Sequence, residues 1–317
     1  MSGPETVAVV IPSWNSEALL PRCLDSVSRQ GEGVEPFVVD NGSADGSLDL
    51  LRDRGVPHVS LPANSGFAAA VNLGVASIDA PFVLVLNADT CLEPGCIAEL
   101  RQGLARDPSL GGVQPRILQL EGEARDPATA RLYSRGQALT RDGRAVELGA
   151  GEAQGAAATE AGEVFGVCGA ACLLRRELFD DLGGYDEGYF AFYEDVDLNV
   201  RARIAGWRFG YVPEAVVWHV GNASWQAQAP RASAWNARLV ARNRLATQAK
   251  FMPATALPRI AAVEAGALAR AASQHRFRST LRGKLEALRW LPRLRRERRR
   301  LAASGDLSRA RRWLGAA

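Results

Sequence analysis

Short apolar runs alternate with amphipathic stretches through the first hundred residues. "TVAVVIPSWN" is β-branched and apolar until Pro12, the pattern of a strand buried on both faces. In "SEALLPRCLDSVSRQ", Leu19, Leu20, Cys23, Leu24 and Val27 fall on one helical face, with Ser16 as the candidate N-cap. "EPFVVDNGS" and "HVSLP" read as further strands, "SLDLLRDRG" as a short helix ended by Gly55, and "FAAAVNLGVASI" as an Ala-rich helix. "PFVLVLNAD" is the most apolar strand of the set. This alternation predicts an α/β fold with a mostly parallel sheet covered by helices on both faces. Such sheets bind ligands beyond the carboxyl ends of their strands. Those ends here carry "PSWN", "DNGS", "ANSG" and "NAD", which are expected to converge on one crevice.

Residues 119–162 are polar, Gly/Ala-rich and weakly periodic, and read as an irregular excursion with a hairpin, a mobile loop near the site. Apolar order resumes at Val164, and the pattern is helical beyond Trp235. "LRGKLEALRWLPRLRRERRRL" spaces Leu281, Leu285, Leu288, Leu291 and Leu294 as one face of a basic amphipathic helix that Pro292 kinks or breaks.

Composition adds three constraints. With 47% hydrophobic and 23% charged residues the chain is globular. The longest uncharged apolar stretch near its middle, "VFGVCGAACLL", has 11 residues, against the roughly 20 that a membrane span needs. With no basic-then-apolar leader at the start, the expectation is a cytoplasmic, non-spanning protein. Five cysteines without CxxC spacing read as buried reduced thiols rather than a zinc site. Residues 270–317 carry 15 Lys/Arg against 3 Asp/Glu, whereas the preceding 269 residues carry 23 against 32, so an acidic body wears a basic tail.

Several clusters can carry chemistry. Asp40 and Asn41 end a strand where a carboxylate can accept from a ribose or a base edge; an ordinary Asx turn is the competing reading. Asp89 follows a strand too apolar to tolerate an unpartnered charge, and can anchor a divalent metal with a diphosphate, or cap the helix before "LEPGCIAEL". Asn64, Ser65 and Gly66 open a helix whose free N–H groups favour an anion. "FYEDVDLNVR" brings Glu194, Asp195 and Asp197 into one apolar setting. If it is helical, Asp197 pairs with Arg201 at i,i+4 and is structural. Glu194 and Asp195 are then left either for general-base work or for complementing the helix dipole. His219 is a satisfied core histidine on one reading and completes a metal site with Asp89 on the other.

Jointly, "VVIPSWN", "VVDNGSADGS", "NSGFAAAVNLG", "VLVLNADT", "GGYDEGYFAFYEDVDLNVR" and "WH" resemble the glycosyltransferase family 2 enzymes over about residues 6 to 250, nearest to bacterial rhamnosyltransferase-type members. The resemblance implies a GT-A fold, inverting chemistry and a nucleotide-sugar donor held with Mg2+ or Mn2+. Carried over by position, Pro12, Asn15 and Asp40 hold the nucleoside. Asn64, Gly66 and Asn72 line the donor pocket, and Asn41, Phe67 and Asn87 belong with them. Asp89 looks like the last acid of the metal-binding DxD motif, with Asn87 standing where its first acid would be. Asp195, beside Glu194, looks like the catalytic base of the "ED" motif, and His219 like an additional metal ligand. The implied organisation is a catalytic domain over 1–250, divided into a nucleotide-binding half (1–115) and an acceptor and catalytic half (116–250), followed by a basic helical extension over 251–317.

The donor expected from the resemblance is dTDP-rhamnose, and the acceptor a glycan or polyprenyl-linked hydroxyl in cell-surface polysaccharide synthesis. The basic segment 276–300 suits an anionic membrane surface, on the inner face of the cell membrane, or else folds onto the acidic body. No nucleic-acid-reading motif is present, so no nucleic-acid partner is expected. The rival class is a non-catalytic nucleotide-sugar-binding or structural protein.

Overall fold

In the computed structural model, which describes residues 6–121, 125–127, 129–153, 155–221 and 229–315, the N-terminal alternation is present. It runs β1 (Val7–Ser13), α1 (Leu20–Ser28), β2 (Val34–Asp40), α2 (Ser47–Asp53), β3 (His58–Ser60), α3 (Phe67–Ala76), β4 (Phe82–Leu86), β5 (Thr90–Leu92) and α4 (Cys96–Ala105). β1 pairs in parallel with β2 and with β4, and β2 with β3. Val7, Val9 and Ile11 of β1, with Leu84 and Leu86 of β4, pack under Leu20 and Cys23 of α1 and Leu100 of α4. Val10, Val83 and Val85 point the other way, onto Ala68, Val71 and Val75 of α3. A strand covered on both faces must be apolar at every position, which explains the unbroken runs in the sequence. Helix α1 starts at Leu20, later than its pattern suggests, and Ser16 does not cap it. The Ser16 hydroxyl donates to the Trp14 carbonyl instead, at 3.2 Å.

The chain continues through β6 (Leu110–Gln119), β7 (Leu132–Ser134), β8 (Gln137–Leu139), β9 (Ala145–Glu147), α5 (Ala156–Thr159), β10 (Gly162–Val164), β11 (Ala171–Arg175), α6 (Arg176–Leu182), α7 (Glu194–Ala205) and β12 (Arg208–His219). The main sheet has the order β10-β12-β6-β11-β4-β1-β2-β3, with β5 also on β12 and β7 on β6. β11 lies antiparallel between β4 and β6. This reversal matters for the site, because it sets the start of β11 beside the end of β4, where Asn87 N–H donates to the Ala170 carbonyl at 2.9 Å. The segment read as an irregular excursion holds the hairpin β8–β9, in which Gln137 faces Glu147.

The C-terminal part is helical: α8 (Ala229–Phe251), α9 (Leu257–Ser273), α10 (Phe277–Arg289), α11 (Leu291–Ser304) and α12 (Leu307–Arg311). The leucines expected to share one face do not. The helix breaks at Trp290, with Pro292 in the first turn of α11, and Leu294 is 1% exposed while Leu285 and Leu288 are 49% and 50% exposed. Their different fates follow from packing. α10 buries Gly283, Lys284 and Ala287; Lys284 pairs with Glu264 of α9, and at Gly283 a Cβ would lie 2.1 Å from the Arg238 carbonyl of α8. Part of the basic tail folds onto the acidic body: Arg293 bonds Asp186, and Glu297 meets Lys250 at 3.0 Å. All five cysteines are buried and unpaired. No helix among the described residues is long and apolar enough to cross a membrane.

Candidate active site

One cavity of about 340 Å3 opens at the carboxyl ends of β1 and β4. Pro12, Asn41, Asn64, Phe67, Asn87, Asp89, Glu194, Asp195 and His219 line it, together with Tyr133, Gln137, Glu147 and Gly169. Of the residues singled out in the sequence, Asn15, Asp40, Gly66 and Asn72 lie outside that lining. Asn15, Gly66 and Asn72 are spent on shaping it.

Asn15, at φ 51°, donates its N–H to the Ser43 hydroxyl (2.9 Å) and accepts from Ala44 N–H (2.8 Å), so it fastens the turn after β2. Asp40 is 1% exposed; its Oδ2 accepts from the Ser60 hydroxyl at 3.0 Å, and its buried Oδ1 has no partner among the described residues. A buried carboxylate oxygen left open is an acceptor waiting for a donor. Asn41 donates to Asn64 Oδ1 (3.2 Å) and to the Gly66 carbonyl (3.1 Å), which ties two of the polar clusters together. Gly66 has φ 94°, and a Cβ there would lie 2.5 Å from the Phe190 carbonyl. The same carbonyl accepts Ala68 N–H at 3.1 Å, so one of the amides at the start of α3 that sequence suggested for an anion serves the loop before α7. Asn72 latches α3 to that loop's base through the Tyr185 carbonyl (2.9 Å), Tyr185 N–H (2.9 Å) and Glu187 (3.0 Å).

The loop that delivers "ED" is strained. Phe190, Phe192 and Tyr193 all have positive φ, at 66°, 68° and 69°, a region that L-residues occupy at a cost. It is held from α8 by the fully buried Asn243 amide, which donates to the carbonyls of Tyr189 (2.9 Å), Ala191 (2.8 Å) and Phe192 (2.7 Å). Nothing in the local pattern around Asn243 announces this role.

Three carboxyls share the cavity wall. Asp195 Oδ2 accepts from Gly169 N–H (3.0 Å) and Gln137 Nε2 (2.8 Å), and its Oδ1 from Val196 N–H (2.8 Å). Burial pushes the Asp195 carboxyl up, and these three donors resist the shift. Glu194 is 6% exposed, its Oε2 has no partner among the described residues, and burial followed by the Asp195 charge holds it well above the usual carboxylate range. Glu147, missed in the sequence, is pushed up to about 7, first by burial and then by Asp195, against hydrogen bonds from Ser134 and Gln137. Two neighbours of Asp195 are therefore readily neutral, which is the condition under which a third carboxyl stays charged. Asp197 behaves otherwise, as its spacing indicated. It is fully buried and paired with Arg201 (2.7 Å) and Lys250 (2.7 Å).

On the other side of the cavity, antiparallel pairing of β5 with β12 sets His219 opposite Thr90 and beside Asp89. Asp89 Oδ1 lies 3.1 Å from His219 Nε2. That separation is close to the spacing of two adjacent ligands around a cation with bonds of about 2.1 Å. Buried Asn87 Oδ1 has no partner among the described residues, which adds an open oxygen nearby. The donor set fits a divalent cation. Glu147, Cys168 and Asp195 also bring ligand atoms within 4.8 Å of one another. There, however, Gln137 Nε2 already bridges the carboxylates (2.8 and 2.9 Å), and burial pushes the Cys168 thiol far up, away from the thiolate a metal needs.

A family model described as "Glycosyltransferase like family 2" matches residues 4–237. An N-acetylglucosaminyl-diphospho-decaprenol L-rhamnosyltransferase of Mycobacterium tuberculosis is 33% identical over 68% of this chain and 76% of its own length. A pre-mycofactocin glycosyltransferase of the same species is 34% identical over 69% of this chain, which spans 44% of that relative. Among solved structures, a mannosyltransferase from Pyrobaculum calidifontis in complex with GDP-Man and Mn2+ is similar over 94% of this chain and 85% of its own, with TM-score 0.54 and 18% identity. The fold is therefore of the GT-A type.

Proposed function

The chain belongs to glycosyltransferase family 2, and on that premise we propose that it moves a sugar from a nucleotide-diphosphate donor to a hydroxyl of a glycan or polyprenyl-linked acceptor, with inversion. The observation that carries the reading is a single cavity lined on one side by Asp195 and on the other by the Asp89–His219 pair. Asp195 accepts the proton of the acceptor hydroxyl as that oxygen bonds the anomeric carbon. The bond from that carbon to the phosphate oxygen breaks, and the diphosphate leaves with the electron pair. Asp89 and His219, with Asn87 beside them, would hold Mg2+ or Mn2+, which when bound supplies positive charge for the leaving diphosphate. The open Oδ1 of Asp40 suits a donor group of the nucleoside. We take residues 1–250 as the catalytic unit and 251–317 as its helical extension.

dTDP-rhamnose is our favoured donor, on the likeness to the rhamnosyltransferase. A thermal-shift titration with dTDP-, UDP- and GDP-sugars, each with and without Mn2+, tests it, because a ligand bound only by the folded state raises apparent stability. We expect the largest metal-dependent shift from dTDP-rhamnose; a larger one from a UDP- or GDP-sugar reassigns the donor. Asp89→Ala should remove the metal-dependent part of that shift. An unaltered shift in Mn2+ would count against the metal assignment.

Part of the basic extension suits an anionic membrane. Phe277, Leu285 and Leu288 are exposed on α10, with Arg278, Arg282 and Arg289 exposed among them. Such a helix face lies at a lipid interface with its cations among the headgroups. The replacement L285S/L288S should lower co-flotation with phosphatidylglycerol vesicles several-fold without changing the donor-induced thermal shift. Equal flotation of both proteins would remove the membrane assignment.

A further inference from the structure

We propose that Gln137, held by Asn199, is the positioning residue of the Asp195 carboxylate, so that the base works as a unit assembled from the β8–β9 hairpin and α7. The inference rests on Asp195 being the base. It concerns a residue from the segment with the weakest pattern in the chain, 58 positions from the group it orients.

The argument starts from the amide's two ends. Gln137 Oε1 accepts from Asn199 Nδ2 at 2.9 Å. Asn199 is itself fully buried on α7, one turn beyond Asp195, and its own amide is fixed by the Val167 carbonyl (2.9 Å) and Val167 N–H (3.2 Å). Space is as restricted as hydrogen bonding: a Cβ on Gly166 would lie 2.3 Å from the Asn199 side chain. With its oxygen committed to a donor, the Gln137 amide cannot flip without setting N–H against N–H. Its NH2 must therefore face the carboxylates, and it reaches Asp195 Oδ2 at 2.8 Å and Glu147 Oε1 at 2.9 Å. The backbone is pinned as well, with Gln137 N–H on the Gly166 carbonyl at 2.8 Å.

This arrangement divides the work between the two oxygens of Asp195. Oδ2 takes the N–H donors of two other segments, from Gln137 and Gly169, whereas the donor to Oδ1 is the neighbouring backbone N–H of Val196. Oδ1 keeps acceptor capacity, and it is the oxygen to which the acceptor's proton transfers. The other titratable groups about Asp195 are Glu194 on its own helix, Glu147 on β9, Tyr133 on β7, Tyr193 just before α7, and Cys168, Cys172 and Tyr185. Burial keeps the tyrosines and thiols among them neutral. Donated N–H bonds are therefore the main influence favouring the charged form of Asp195, and Gln137 supplies the one from a side chain.

Two variants test this. Gln137→Met keeps the volume and removes the donor; Gln137→Glu keeps the shape and replaces the donor by an acceptor. Both should lower kcat by roughly 10- to 100-fold, the scale of one hydrogen bond to a charged group. Donor KM and the donor-induced thermal shift should stay within about twofold, since the donor side is assigned to the Asp89–His219 wall of the cavity. The acidic limb of the kcat profile should move to higher pH, because the lost bond favoured the carboxylate. Wild-type kcat and an unmoved limb in a folded Gln137→Glu protein, with Asp195→Asn inactive, would overturn the proposal and leave the base intact. Loss of kcat together with donor binding and melting temperature would also overturn it, by making Gln137 merely structural. Retained turnover in Asp195→Asn would instead overturn the reading on which the proposal rests.

Discussion

Asp195→Asn lowers transfer at saturating substrates by roughly 10²- to 10⁴-fold, the contribution expected of a positioned general base, and leaves the donor-induced thermal shift near its wild-type size. The separation of effects follows from the geometry. Asp195 sits at the start of α7, with its carboxylate held by Gly169, Gln137 and Val196. The Asp89–His219 pair that we assign to the donor side is carried by the β5–β12 pairing. An Asn side chain fills the same space but cannot accept the acceptor's proton. Single-turnover transfer, measured beside donor binding in Mn2+, checks the prediction, and unchanged turnover would sink the assignment of the base. The pH dependence has a definite sign. Because burial raises the Asp195 carboxyl, activity should fall as pH drops through that raised value, at a higher pH than an exposed aspartate would give.

Lys250→Met should cost about 3 kcal/mol of stability, the lower end for removing one partner from a buried pair, and lower Tm by roughly 4–5 °C for a chain of 317 residues. Lys250 is 3% exposed on its side chain and lies 2.7 Å from Asp197, which is fully buried on α7. Arg201 remains at 2.7 Å as a second cation, which is why the lower end applies. Lys250 also meets Glu297 of α11 at 3.0 Å, so one ammonium joins α8, α7 and the basic extension.

Burial alone would raise the Asp197 carboxyl, but Lys250 and Arg201 outweigh it and hold the group below its usual value. A depressed carboxylate contributes stability that is present above its unfolded pKa, about 3.9, and is lost as pH falls through the folded value. The gap in Tm between wild type and variant should therefore narrow below about pH 4. For Lys250, burial lowers the ammonium's pKa and Asp197 more than restores it, so the group is raised overall. Its contribution is complete below about pH 10.4 and fades as pH rises through the folded value. Thermal melts across pH test both windows. A gap that stayed constant into acid would mean that Asp197 does not carry the charge assigned to it.

Legibility in the sequence differed by residue. Asp195 and Asp197 were separable because a helix fixes which neighbours a side chain meets: Arg201 lies four positions after Asp197, and the pair forms as spaced. For Asp89 and His219 the residues alone left a metal site and a bland reading both open, the family resemblance favoured the metal site, and β-pairing brings them within 3.1 Å. Asn72 was placed in the donor pocket by position, whereas the structure spends its amide on Tyr185 and Glu187. Gln137 and Glu147 gave no signal, since short strands in a polar, Gly-rich segment have little periodicity to read.

The layered α/β architecture is written in the residue pattern, because burial on both faces of β1 and β4 requires continuous apolar runs, and so is the helical start that presents Glu194 and Asp195. The tertiary structure decided what those carboxyls touch. Gln137 meets Asp195 only because the β8–β9 hairpin packs against α7. The strained loop before α7 is held by Asn243, about fifty residues later, which collects its carbonyls. The leucines of the basic tail part company because α10 packs through Gly283 and Ala287 and turns Leu285 and Leu288 outward. Periodicity reports which face of an element is apolar; which partner covers that face, and which polar groups meet across it, depends on contacts between segments distant in the chain.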